Sequence, residues 1–285
     1  MISPLLLLTV AVVDIVMGIA GMPEPRTGKN APSIPVRVVW LGMLVAVALP
    51  AAGWLVLAAP LPAAVAIAFF AAVWIWQECR FIRRAANAWF IAAALALVVA
   101  VVIGVFTEAG ERAVSPLVTD YSDYAKSIGL PLAPELLVGA VAVVLILTRT
   151  ANLICRAALG RTVVMEPSAP SGPRRWTVSI RSRELASVAE DDTLRAASVG
   201  DAATTLKGGR VIGPLERILI TALALAGAEA VIVGLLAAKG IVRFPEISAD
   251  ERRGSKAEEF LVGSLVSWTI AGLAAAYLAT LQNGL

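Results

Sequence analysis

Ala88-Trp89-Phe90-Ile91-Ala92-Ala93-Ala94-Leu95-Ala96-Leu97-Val98-Val99-Ala100-Val101-Val102-Ile103-Gly104-Val105-Phe106-Thr107 contains neither a charged residue nor a proline. A hydrocarbon layer about 30 Å thick is crossed by roughly 20 such residues coiled as one helix, at about 1.5 Å of rise each. Comparable runs lie at 2–22, 36–59, 61–78, 133–155, 215–238 and 260–282. In lipid every backbone N–H and C=O must find its partner within the protein, and a helix does this inside one segment. The pattern therefore predicts an all-α, polytopic transmembrane helical bundle of about seven spans.

Composition supports a lipid solvent. Hydrophobic residues make up 59% of the chain and the mean hydropathy is +0.82. The 24 Lys and Arg against 21 Asp and Glu leave a net charge of only +3, spread over the connections, so no nucleic-acid partner is expected. The chain has no histidine, which removes the commonest general base and the commonest metal ligand together. The cysteines Cys79 and Cys155 can form neither a four-ligand zinc site nor a Cys-x-x-Cys redox pair, and they read as free thiols. No metal and no cofactor is expected. The first run has no basic residue ahead of it and holds Asp14, which argues against a cleaved signal.

Basic residues in the connections predict an orientation. Arg26, Lys29 and Arg37 follow the first run, and Arg80, Arg83 and Arg84 follow the third. Pro60-Leu61-Pro62 is uncharged, and 108–132 holds only Arg112 and Lys126 among several acids. This alternation places the amino terminus outside the cell (plasma) membrane. Trp40, Trp74, Trp76 and Trp89 fall near the cytoplasmic ends of their runs, where an amphipathic ring suits the headgroup zone.

Three regions follow: a five-span bundle over 1–155, a polar cytoplasmic linker or small domain over 156–214, and a two-segment membrane module over 215–285. The middle region carries Arg156, Arg161, Arg174, Arg175, Arg181, Arg183, Arg195, Lys207 and Arg210, and Glu166 to Arg174 is rich in Pro, Ser and Gly. Within it, Trp176-Thr177-Val178-Ser179-Ile180 alternates like a strand, but one strand cannot bury itself. In the last region 215–238 is expected to span. The following connection nevertheless carries Lys239, Arg243, Arg252, Arg253 and Lys256 on what would be the outer side. The alternative is a re-entrant segment that breaks near Gly227 and Glu229.

Two acids lie near the centres of their runs, Asp14 and Glu229, and no Lys or Arg is placed at similar depth within a run. A charge there costs about 2.5–3.5 kcal/mol on insertion scales. Each acid is then either a neutral hydrogen-bonding link between helices or a site for a proton or cation in passage. Lys239 and Arg243 share a helix face at i,i+4 spacing, with Pro245 expected to end or bend that helix, and together they suit a lipid phosphate or ordinary snorkelling to headgroups. Gly208-Gly209-Arg210-Val211-Ile212-Gly213-Pro214-Leu215-Glu216-Arg217 lacks the spacing of a P-loop and reads as the start of a membrane helix. No nucleophile has a base to work with. Asp191 and Asp192 lie in the polar stretch, away from any helix end suited to metal-dependent lipid chemistry.

From Gly209 onward the residues Ile212-Gly213, Leu215-Glu216-Arg217, Ala238-Lys239, Arg243-Phe244, Glu246-Ile247, Ala257-Glu258 and Gly263-Ser264-Leu265 form a spaced set of charged and small residues around two apolar segments. This set resembles a bacterial family of multi-span membrane proteins of unknown function. Gly240 departs from the serine usual in that family, and the histidine of its amino-terminal region is missing from this chain. The resemblance implies a bacterial inner-membrane location and no activity. It marks Glu216, Arg217, Lys239, Arg243, Glu246 and Glu258 as residues that hold a headgroup or partner.

The leading expectation is a non-enzymatic subunit or adaptor in the lipid bilayer, bound to a protein partner, a second copy of itself or a lipid headgroup. A proton- or cation-coupled transporter using Asp14 and Glu229 is the alternative, and a lipid-handling enzyme is the third.

Overall fold

The computed structural model describes residues 1–20, 35–84, 87–107, 115–129, 133–160, 175–180, 183–189, 209–248 and 255–283. Arg26, Lys29, Arg112, Asp191, Asp192, Arg252 and Arg253, which weighed in the reading above, lie outside them. The helices are α1 (Ile2–Ala20), α2 (Val36–Leu57), α3 (Leu61–Arg84), α4 (Asn87–Thr107), α5 (Pro116–Ser127), α6 (Pro134–Thr148) and α7 (Thr150–Ala158). After the polar stretch come α8 (Gly209–Leu225), α9 (Glu229–Ser248) and α10 (Ser255–Asn283).

Five of these, α1 to α4 and α10, are long and apolar enough to cross a membrane. A sixth crossing results if α6 and α7 count as one span bent by 42°. The helices are apolar on outward faces as well as inward ones. On α4, Leu95, Val99, Ile103 and Phe106 are exposed while Phe90, Ala94, Leu97 and Gly104 are buried. A helix hydrophobic all round requires an apolar solvent. These features are those of an integral membrane protein.

α1 sits in the middle, touching α2, α3, α4 and α6; 61% of its apolar stretch is buried, against 22% for α4. Its contact with α2 uses small residues. Gly42 faces Met17, Gly53 faces Leu5, and Ala46 is buried between them. Small side chains let two backbones approach where no hydrophobic effect drives association. α3 and α4 are joined by an aromatic layer in which Trp74 and Phe81 both meet Phe90, at ring centroids 5.3 and 4.9 Å apart.

Several expectations are corrected. The run 133–155 is not straight: α6 stops at Thr148 and α7 restarts at Thr150, with Arg149 at the bend. The run 215–238 is not one helix. α8 ends at Leu225 and α9 begins at Glu229, with Gly227 at φ 67° in between, a conformation that costs glycine nothing. This is the break considered for the re-entrant alternative. Pro245 does not end its helix, which continues to Ser248. The region 108–132, read as a loop, contains α5. Its start at Ser115-Pro116 suits a helix, and Ser115 Oγ donates to the Val56 carbonyl at 2.5 Å.

The chain divides into two compact units, Met1–Val163 with Gly213–Leu285, and Val164–Ile212. The second holds an antiparallel hairpin of β1 (Arg175–Ile180) and β2 (Arg183–Ala189), in which Trp176 pairs with Val188 and Val178 with Ala186, and the register shifts after Val178. The strand expected at 176–180 therefore has a partner that the sequence reading did not assign.

Candidate functional site

Two polar assemblies interrupt the apolar bundle. The first joins α1, α3 and the α6–α7 bend. Asp14 is fully buried and accepts two hydrogen bonds, one from Trp74 Nε1 at 2.7 Å on Oδ1 and one from the Thr150 hydroxyl on Oδ2. Four residues beyond Trp74 on α3, and so on the same face, Glu78 is equally buried. Arg149, half-buried at the bend, donates from Nη2 to Glu78 Oε1 at 2.8 Å. The bend frees Arg149 to turn inward and points Thr150 at Asp14. Gly18, one turn beyond Asp14 on α1, leaves the room the guanidinium occupies, because a Cβ there would collide with it.

Not every polar atom in this cluster has a partner. Glu78 Oε2 and Arg149 Nε are buried without one, and the group facing Glu78 besides Arg149 is Asp14. Two ionised carboxylates side by side are both acceptors and repel each other. A buried assembly left in this condition is unsatisfied electrically and in hydrogen bonding.

The second assembly lies where the carboxy-terminal helices meet the bundle. Arg217 on α8 is buried and distributes its donors over neutral oxygens. Nε donates to the Leu147 carbonyl at 2.9 Å, Nη2 to Asn152 Oδ1 at 2.6 Å and Nη1 to Ser267 Oγ at 3.3 Å. Leu147 lies in the last turn of α6, where helix carbonyls lose their intrahelical partners, so a cation suits it. One residue earlier, Glu216 turns the other way. Lys239 Nζ on α9 donates to both its oxygens at 2.7 Å, and Trp268 Nε1 on α10 donates to Oε1 at 3.0 Å. The ammonium also lies 5.6 Å from the centre of the Trp268 ring.

The residues singled out from sequence are thus sorted. Glu216 and Lys239 are brought together, and Arg217 is adjacent but serves the bundle. Arg243 and Glu258 are exposed, and the side chain of Glu246 lies outside the described residues. Glu229 does not sit in a sealed interior with Asp14. It is exposed in the first turn of α9, where its charge favours the positive helix end. Asp14 is not stranded without a cation, because Arg149 acts on it through space. Trp74 is no interfacial anchor but a core residue bonded to Asp14, whereas Trp40, Trp76 and Trp89 are exposed. Neither Cys79 nor Cys155 is in a disulfide.

Sequence reading passed over Glu78, Arg149, Thr150, Trp268 and Ser267. Glu78 looked like part of the polar end of a span, two residues before Arg80. Its i,i+4 spacing from Trp74 was the available signal. A hollow of about 290 Å³ is lined by Leu136, Leu137, Ala140, Leu225, Leu278 and Gln282. Its lining is mainly apolar, with Gln282 as the polar member, and none of the ionic residues lines it. Among the described residues no group of His, Cys, Asp and Glu is arranged to hold a metal ion. No family model matches this chain, and neither a curated protein nor a solved structure does.

Proposed function

We propose that this chain is a non-enzymatic subunit or adaptor of the cell membrane whose carboxy-terminal helices bind a partner protein or a lipid headgroup. The observation that carries this is the attachment of α9. It is fastened to its neighbours through the Glu216–Lys239–Trp268 joint, while Val231, Val233, Ile241, Val242 and Phe244 around it are exposed. A helix held at one polar joint, with these apolar side chains left uncovered by the rest of the chain, is suited to lie against something else. The charge pattern of the connections supports an outside amino terminus, and a seventh crossing would need α8 and α9 together. The likeness of the 209–285 motifs to a family of unknown function belongs to the same proposal.

Photo-crosslinkable residues placed at Val233 and Val242 in native membranes test it. The proposal expects a discrete protein or headgroup adduct at one of them that weakens in Lys239→Met. Adducts to acyl chains alone, unchanged by that substitution, would contradict it.

A second reading, a proton- or cation-coupled transporter, is favoured by one specific feature, the buried Asp14–Glu78–Arg149 cluster. Glu229, exposed at a helix start, no longer supports it. Ion-dependent flux in proteoliposomes that Asp14→Asn abolishes, with the yield of folded protein unchanged, would favour this reading over the adaptor.

A further inference from the structure

We propose that Asp14 and Glu78 together hold a single proton, which makes the Asp14–Glu78–Arg149 cluster a proton-binding site at the junction of α1, α3 and the α6–α7 bend. The inference stands whether or not the chain moves an ion.

Charge comes first. Two fully buried carboxylates face one half-buried guanidinium, so full ionisation leaves one uncompensated negative charge there. Among the described residues no other cation is aimed at the pair. Arg80, two residues past Glu78, turns to the rings of Trp76 and Trp89, at 5.0 and 5.6 Å. Arg156 on α7 is exposed. α4 has no charged residue, α2 has only Arg37, in its first turn, and α6 has only Glu135, also in its first turn. The side chains of Arg83 and Arg84 lie outside the described residues.

Hydrogen bonding points the same way. Asp14 already accepts from Trp74 and Thr150, and Glu78 Oε1 from Arg149, whereas Glu78 Oε2 is buried with no donor, and Asp14 is close enough to Glu78 to act on its charge. One proton on either acid turns an acceptor–acceptor contact into a donor–acceptor contact and brings the cluster to neutrality. Two carboxyl groups forced together characteristically share one proton. A monovalent metal cation would also cancel the charge, but the guanidinium already occupies one side of the space and, among the described residues, no third carboxylate completes a ligand shell. Release of the proton would set α1 and α3 repelling each other at the bend.

Infrared spectroscopy of the full chain in lipid nanodiscs, at neutral pH and without sodium, tests this. The wild type should show a carbonyl band of one protonated carboxylic acid that shifts when aspartate or glutamate is carbon-13 labelled. That band should vanish in Glu78→Gln and in Asp14→Asn, since either leaves one acid for one guanidinium. If neither variant folds, the labelled wild type still decides. Absence of any aspartic- or glutamic-acid carbonyl band in the labelled wild type, its persistence in both variants, or its abolition by sodium at fixed pH would overturn the proposal. The last result would identify a metal cation as the occupant.

Discussion

Arg149 ties the bend between α6 and α7 to α3, its Nη2 lying 2.8 Å from Glu78 Oε1, while the next residue in the chain, Thr150, binds Asp14 on α1. Two consecutive residues at one helix break thus contact two different helices. This makes the bend a structural requirement rather than a defect. A straight helix through Arg149 and Thr150 would point the two side chains about 100° apart around one axis. The ion pair costs desolvation to assemble, so its value lies in fixing one arrangement of α1, α3 and α6 more than in raw stability.

Arg149→Met should expose that asymmetry. The methionine keeps much of the volume but leaves Glu78 buried without its cation, and breaking one side of a buried pair costs about 3–5 kcal/mol. Thermal unfolding in mild detergent should fall accordingly. The double variant Arg149→Met with Glu78→Met should recover most of the loss, which a simple packing role for Arg149 does not predict.

Trp74→Phe isolates a single hydrogen bond. The ring contact with Phe90 largely survives, but Asp14 loses the donor on Oδ1 and keeps only Thr150. An unsatisfied buried acceptor costs about 1–3 kcal/mol. Destabilisation in that range is expected by chemical denaturation in micelles, and Trp76→Phe, at an exposed position, should sit near zero.

The general architecture was legible in the sequence because lipid imposes a length rule that runs such as 88–107 satisfy by themselves. The site was not, for reasons visible in particular residues. Asp14 stood out because it is alone in its run, but its partners Glu78 and Arg149 sit next to other charged or polar residues at the ends of theirs. Pairing between them spans 71 positions and depends on a bend that no local pattern announces. Trp74 resembled Trp76 in composition and neighbours, yet the two face opposite ways because they are two residues apart on a helix. Lys239 and Glu216 were flagged through the motif resemblance, but their meeting depends on the break at Gly227. Glu229 misled because a run of apolar residues conceals where one helix stops and another starts.

Gly18→Ala tests the close approach of α1 to the bend. The added methyl meets the Arg149 guanidinium, whose Nη2 is already committed to Glu78 and whose Nε is buried. Overpacking costs typically about 1–3 kcal/mol. The loss should shrink in an Arg149→Met background, where the obstructing group is gone, as measured by a double-mutant cycle of melting temperatures converted to free energy.

Arg217→Met should loosen the carboxy-terminal helices from the bundle. Leu147 O, Asn152 and Ser267 would all lose their donor at once, and hydrogen bonds from a charged group contribute about 1.5–3 kcal/mol each. Hydrogen exchange should rise across α8 and the first half of α10 while α1 to α4 remain protected. Lys239→Met should instead raise exchange in α9 alone.

The claim beneath all of this is that lipid covers the outward faces of these helices. Single cysteines placed at Phe69, Val99 and Asp123 in a Cys79→Ser, Cys155→Ser background, probed in intact membranes with a membrane-impermeant maleimide, test it most directly. The account predicts rapid labelling at Asp123, on the polar helix α5, and none at Phe69 or Val99 until detergent is added. Labelling of Phe69 and Val99 at the Asp123 rate in undisturbed membranes would contradict it.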